Sequence, residues 1–120
     1  MEYLKHTFDF DGVERKLFLV KSTYCADGSL AVLCYEHVEQ PDLIMDEEWC
    51  DVTVCFPYAS VPNPKTDAFV DTNNSPWLEE FLKKNKIANP LGFNMHSGFC
   101  KYPAYRFDLK KLHTLKEINK

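Results

Sequence analysis

The sequence predicts one α+β domain over residues 1–120. It comprises a twisted antiparallel meander sheet of four to five strands, covered on one face by one or two helices. Three observations predict it. Asp11-Gly12 and Asp27-Gly28 each separate two runs of strand-like residues, and Asp-Gly is the pair that accepts the positive φ values of a tight hairpin turn. Ser75-Pro76 precedes an amphipathic stretch with Trp77, Leu78, Phe81 and Leu82 on one stripe. With 45% hydrophobic and 14% aromatic residues among 120, the chain has material for one core, and a chain of this length buries roughly 65% of its unfolded surface.

The elements follow in order. Leu4, His6, Phe8 and Phe10 alternate with Tyr3, Lys5, Thr7 and Asp9, the pattern of a half-buried strand. Leu17-Phe18-Leu19-Val20 is apolar on both faces and suits a central strand. In the third run Leu30, Val32 and Cys34 share one face, with Ala31, Leu33 and Tyr35 on the other. Residues 37–49 are acidic and contain Pro41, so they read as a loop or a single helical turn. Asp51–Phe56 gives a fourth strand. Pro57, Pro62 and Pro64 mark a surface loop, because proline removes ladder donors. A short strand follows at Ala68-Phe69-Val70.

Ser75 is placed to cap the next helix and Pro76 fits its first position. Glu79 and Glu80 near the start, and Lys83, Lys84 and Lys86 toward the end, complement the helix dipole. Trp77 and Phe81 are expected to pack on the sheet. Asn89-Pro90 and Gly92 stop the helix. An aromatic strand is expected in the run Ser97–Phe107. A second helix is expected after Asp108, with Leu109, Leu112, Leu115 and Ile118 at threefold spacing.

Charge is unevenly distributed. Residues 1–80 hold 16 acids and 5 bases, and residues 81–120 hold 2 acids and 9 bases, within a net charge of -4. Such a layout either neutralises itself internally or presents two faces that steer different partners. The basic segment, with Lys101, Arg106, Lys110, Lys111, Lys116 and Lys120 among Tyr102, Tyr105 and Phe107, has the composition of a nucleic-acid surface. The acidic whole, with a pI near 5.5, argues against that use.

No catalytic signature is present. His96 with Cys100 has an acceptable separation for a zinc-ligand pair, and Cys50 with Cys55 the longest usual one, but the latter falls in the predicted strand region, where an odd separation points the two thiols to opposite faces; buried or unremarkable thiols are the expectation. Cys100 beside His96 lacks an orienting group for a nucleophile. Asp71-Thr72-Asn73 starts like a calcium loop, yet a helix begins at Pro76, and a side-chain-bonded turn accounts for the same residues. Five cysteines with no secretory signal point to reduced thiols. The first residues lack the apolar core of a signal peptide, and no apolar run reaches the ~18 residues of a membrane span. A cytoplasmic protein without cofactor, metal or membrane is expected.

The run Ala68-Phe69-Val70-Asp71-Thr72-Asn73-Asn74-Ser75-Pro76-Trp77-Leu78-Glu79-Glu80-Phe81-Leu82, then Pro90, then Ser97-Gly98-Phe99-Cys100-Lys101-Tyr102-Pro103, resembles a bacterial family defined only by a domain of unknown function. Its small members are common in gut bacteria and lie near mobile elements. The resemblance covers residues 68–109 well and the N-terminal hairpins loosely. It implies a bacterial cytosolic origin and a mobile-element setting, where small acidic proteins inhibit host-defence machines. It transfers no functional residue.

Together these readings favour a small non-enzymatic protein acting through protein–protein contact. One form is an inhibitor of a nucleic-acid-targeting host-defence complex, of the anti-CRISPR or antirestriction type. The expected partner is a protein with a basic surface, met by the acidic stretch at Asp46, Glu47, Glu48 and Asp51. The alternative is a small ligand-binding domain or enzyme with a pocket near the Pro57–Asp67 loop.

Overall fold

A computed structural model describes residues 6–10, 12–24, 28–56 and 61–114. Its first sheet is built from β1 (His6–Phe10), β2 (Val13–Thr23), β3 (Leu30–Gln40) and β4 (Leu43–Asp51), hydrogen-bonded in that order. The predicted first hairpin is present, with Phe10 opposite Val13 and Gly12 at φ 88°. Asp9 Oδ1 accepts the Gly12 N–H at 2.8 Å. Phe8 is buried between exposed Thr7 and Asp9, as alternation requires. Leu17, Phe18, Leu19 and Val20 are all fully buried, which fits β2 as an inner strand. The second connection is wider than a two-residue turn. β2 ends at Thr23 and β3 starts at Leu30, with the Tyr24 N–H donating to Ser29 O and the Gly28 N–H to Tyr24 O. Tyr3, Leu4, Lys5, Asp11, Cys25 and Asp27 lie outside the described residues.

The acidic stretch is a hairpin and not a loop or helical turn. β3 runs to Gln40, Pro41 and Asp42 form the turn, and β4 returns with Gln40 opposite Leu43. Acids and proline are depleted in strands, but both are tolerated here. Pro41 sits in the turn, where its missing donor costs nothing. β4 is an edge strand of the first sheet, where charged side chains remain solvated. A bulge interrupts the ladder: Tyr35 faces Glu48 but Cys34 faces Cys50, leaving Trp49 as the extra residue.

Val52 carries the chain from one sheet to the next. Its N–H donates to Val32 O and its carbonyl accepts the Asp71 N–H, each at 2.9 Å. The second sheet has the order β5 (Thr53–Val54), β6 (Asp67–Val70), β8 (Cys100–Phe107), β7 (Ala88–Ser97). The fourth strand expected over Asp51–Phe56 is thus the end of β4 and the two-residue β5. The expected strand at Ala68-Phe69-Val70 is β6, and the aromatic strand is β8. β7 was not foreseen. Its Pro90 is accommodated because β7 is an edge strand, and Gly92, at φ 91°, lies where the register shifts between Pro90 and Asn94. At the hairpin tip Gly98 takes φ 62° while Phe99 does not adopt positive φ, the φ pattern of a type II′ turn.

Helix α1 (Leu78–Lys84) buries Leu78, Phe81 and Leu82. It starts later than the sequence suggests, with Trp77 at the N-cap and no side-chain cap. Ser75 is buried instead, so the expected Ser75 cap is not formed. The C-terminus closes in a Schellman motif: Lys86 N–H donates to Lys83 O and Ile87 N–H to Leu82 O, with buried Ile87 and Leu82 supplying its apolar contact. Lys86 holds φ 54°, a conformation that favours glycine. Lys86→Gly is therefore expected to raise stability by about 0.5–1 kcal/mol in denaturant melts.

Leu17, Leu19, Val32, Val70, Tyr105 and Phe107 meet this helix in one core. Trp77 and Phe81 pack there as expected, with Phe81 edge-on to Phe8 and to Trp77. Among the described residues no second helix follows Asp108. Leu109–Lys111 is a 3-10 turn whose Asp108 carboxylate accepts the Lys110 N–H, and β9 (Leu112–Thr114) then pairs in parallel with β2. Threefold leucine spacing does not distinguish a helix from a turn running into a strand. The open stretch of β2 beyond β1 decided it, because its backbone groups need partners, and Leu112 fills the core opposite Leu19. Leu115 and Ile118 lie outside the described residues. The fold is α+β but sheet-rich, with minimal helical cover. No helix among the described residues is long and apolar enough to cross a membrane.

Candidate functional site

The four acidic residues singled out by sequence lie on or at the end of β4 and divide between its two faces. Register pairs share a face. Asp46, Glu48 and Asp51 oppose His37, Tyr35 and Leu33, whereas Glu47 opposes Glu36. Glu39, opposite Ile44, extends the first group. The face turned away from the helix therefore carries Asp46, Glu48 and Asp51 of β4 and Glu39 of β3, with the alternate residues Asp46 and Glu48 about 6.8 Å apart along the strand. Glu39, Glu48 and Asp51 are exposed and Asp46 is half-buried. Asp46 Oδ1 lies 2.8 Å from His37 Nδ1, and Glu39 stands 3.9 Å from the other ring nitrogen. Burial and the Glu48 charge push the Tyr35 phenol up. Among the described residues Glu47, Glu48 and Asp51 form no ion pair.

On the helix-side face of the same hairpin Glu36 is paired, Glu47 is not, and an aromatic group lies beside them. Arg15 donates to Glu36 at 2.8 Å and its guanidinium lies 5.4 Å from the Trp49 ring centre. Trp49, extruded by the bulge, stacks on Trp77 at 5.3 Å and meets Phe10 edge-on.

The basic segment does not gather into one patch among the described residues. Arg106 is bound to Asp67 through Nε and Nη2, at 2.8 and 3.0 Å, and Lys111 Nζ donates to Asn85 O. Tyr105 and Phe107 are buried, and Tyr102 packs on Phe56. Lys116 and Lys120 lie outside the described residues. The Asp71 segment is the expected side-chain-bonded turn. Its carboxylate accepts from Asn74 N–H and Nδ2, and Asn73 Nδ2 reaches Lys101 O.

Beside the Pro57–Asp67 loop, of which residues 57–60 lie outside the described residues, is a cavity of about 150 Å³ lined by Tyr24, Leu30, Cys55, Phe56, Asp67 and Phe69. It is smaller than the ~300 Å³ at which small-molecule sites begin. Its polar groups are engaged. Tyr24 Oη and Thr53 Oγ1 are 2.7 Å apart, and Asp67 accepts from Arg106, Thr66 and Asn63. Burial pushes the Asp67 carboxyl up, but the hydrogen bonds outweigh it and hold it below the usual range. His96 and Cys100 fall on opposite faces of the β7–β8 hairpin, since His96 opposes Lys101 and Ser97 opposes Cys100. Among the described residues no three potential ligands cluster for a metal.

Sequence reasoning missed two features. One is His37, which the hairpin register brings to Asp46. The other is the cross-strand pairing of Cys34 with Cys50, which stand opposite each other on β3 and β4. Counting outward from the Pro41-Asp42 turn finds the first but not the second, because the bulge intervenes.

Comparison with curated proteins and with solved structures gives no match. Residues 18–119, which include every element from most of β2 to β9, match the model of a domain of unknown function, DUF4313. The chain belongs to the DUF4313 family.

Proposed function

We propose that this protein is a binding module whose β3–β4 hairpin docks on a basic protein surface. The observation that carries the reading is the row Glu39, Asp46, Glu48 and Asp51 on one face of an edge hairpin. Carboxylates gathered on one face of an exposed hairpin carry the negative charge that a phosphate backbone carries, so the fitting partner is a surface that ordinarily holds nucleic-acid backbone. An inhibitor of a nucleic-acid-targeting defence complex is the specific form of this proposal. Exposed edge charges also discourage sheet-to-sheet aggregation, and the test must separate the two roles.

The test uses the protein partner captured by the full chain from its host lysate and then purified. Asp46→Asn/Glu47→Gln/Glu48→Gln retains side-chain size and a His37 contact. It is expected to slow association about tenfold at low salt, with the wild-type rate falling as ionic strength rises. Its melting temperature should stay near wild type, because Glu47 and Glu48 are exposed charges that contribute little to stability and Asp46→Asn keeps an oxygen that can accept from His37. Equal rates and a flat salt dependence would reduce β4 to a solvated edge. Capture of nucleic acid in place of protein would also overturn the proposal.

A further inference from the structure

Cys34 and Cys50 stand directly opposite each other on β3 and β4. Opposed residues of an antiparallel pair have Cα atoms about 4.5–5.5 Å apart, inside the ~4.4–6.8 Å range that a disulfide spans. The contact exists only because of the bulge: with an uninterrupted register Cys34 would face Trp49. The two sulfurs differ in access. Cys34 is fully buried and Cys50 is half-buried. The Cys34 S–H donates to Tyr35 O at 4.0 Å. The neighbouring Cys34 and Ser75 side chains lower the Cys50 thiol from its ordinary value, against the opposing effects of burial and of Asp51 and Asp71. The Cys34 thiol is pushed up, first by the neighbouring Cys50 and then by burial. A partly exposed thiol opposite a buried one, within disulfide reach, is the arrangement of a reacting and a resolving cysteine.

We infer that Cys34 and Cys50 form a reversible, peroxide-driven disulfide that locks the bulged end of the β3–β4 hairpin. The Cys50 thiolate attacks one peroxide oxygen. An S–O bond forms, the O–O bond breaks, and the leaving oxygen takes a proton to depart as water or alcohol. Cys50 is oxidised to the sulfenic acid as the peroxide is reduced. The Cys34 sulfur then attacks Cys50. The S–S bond forms, the S–O bond breaks, and the hydroxyl leaves as water with the Cys34 proton. A dithiol restores both thiols by exchange. The bond would sit next to Trp49, which stacks on Trp77, and the chain has no other tryptophan. Indole fluorescence therefore reports on the switch.

The experiment treats the native full-length chain with hydrogen peroxide and maps its peptides without reduction. The expected result is a Cys34–Cys50 link within a monomer, a mass loss of about 2 Da, a shift in tryptophan emission, and reversal of all three by dithiothreitol. Cys34→Ser should halt at a Cys50 sulfenic acid that a dione reagent traps, and Cys50→Ser should abolish the link. If Cys34→Ser does not fold, Cys34→Ala replaces it, and the wild-type map decides alone. A link to any other cysteine, a bond between chains, or intact Cys34 and Cys50 thiols after another cysteine has oxidised would each overturn the inference.

Discussion

Phe81→Ala is expected to lower the unfolding free energy by about 3–5 kcal/mol, the range for deleting a large aromatic side chain from a core. Phe81 is fully buried. Its ring stands edge-on to those of His6, Phe8 and Trp77, and so joins the helix to β1. α1 has only seven residues, too few to be stable by itself, and it holds its place by this apolar face. No neighbouring element can collapse far into the space, because β1 and β2 are fixed by their ladder. Urea titration followed by circular dichroism checks it, and a midpoint equal to wild type would exclude this packing.

Tyr105→Ala is expected to have an effect of similar size, about 3–5 kcal/mol, whereas Tyr105→Phe should lose only about 1 kcal/mol. Tyr105 is fully buried on β8, and its hydroxyl donates to Glu79 Oε1 at 2.7 Å. The ring fills the space between the second sheet and the helix, and the hydroxyl ties the two. Glu79 is half-exposed, so without the phenol it can still be hydrated, which keeps the Phe variant mild. Burial first, and then the hydrogen bond and charge of Glu79, push the phenol well above its ordinary value. The fold thus holds Tyr105 protonated where the unfolded chain ionises, near pH ~10. Its contribution is complete below that pH and is lost as pH rises toward the folded value. Melting curves from pH 8 to 11 should show a shallower alkaline decline in Tyr105→Phe than in wild type. Identical slopes would mean that Tyr105 does not control it.

Local chemistry explains which elements were legible in the sequence. The Asp11-Gly12 hairpin, the buried run Leu17–Val20, β6, β8 and the Asp71 turn each rest on neighbouring residues, and each is present in the fold. The failures share a cause. Residues 37–49 resemble a loop by composition, yet an edge strand needs few apolar residues once a turn such as Pro41-Asp42 sets its register. β7 contains Pro90 and Gly92 but tolerates both at a sheet edge. Leu109 and Leu112 fit a helical stripe, and the vacant stretch of β2 pulled the second of them into a strand.

The sequence by itself determined that the acidic residues cluster between Glu36 and Asp51 and that the chain holds a hydrophobic core, because both depend only on residue types close in order. Only the tertiary structure decided how those acids divide, with Asp46, Glu48 and Asp51 on one face and Glu47 on the other. It also withdrew Ser75 from capping the helix and set it against Cys50. A single bulge exchanged Trp49 for Cys50 opposite Cys34. Side chains alternate with a period of two, so one extra residue in a strand changes the partners of everything beyond it. That shift has no local signature, since it depends on where Trp49 finds Trp77, Phe10 and Arg15 across the fold.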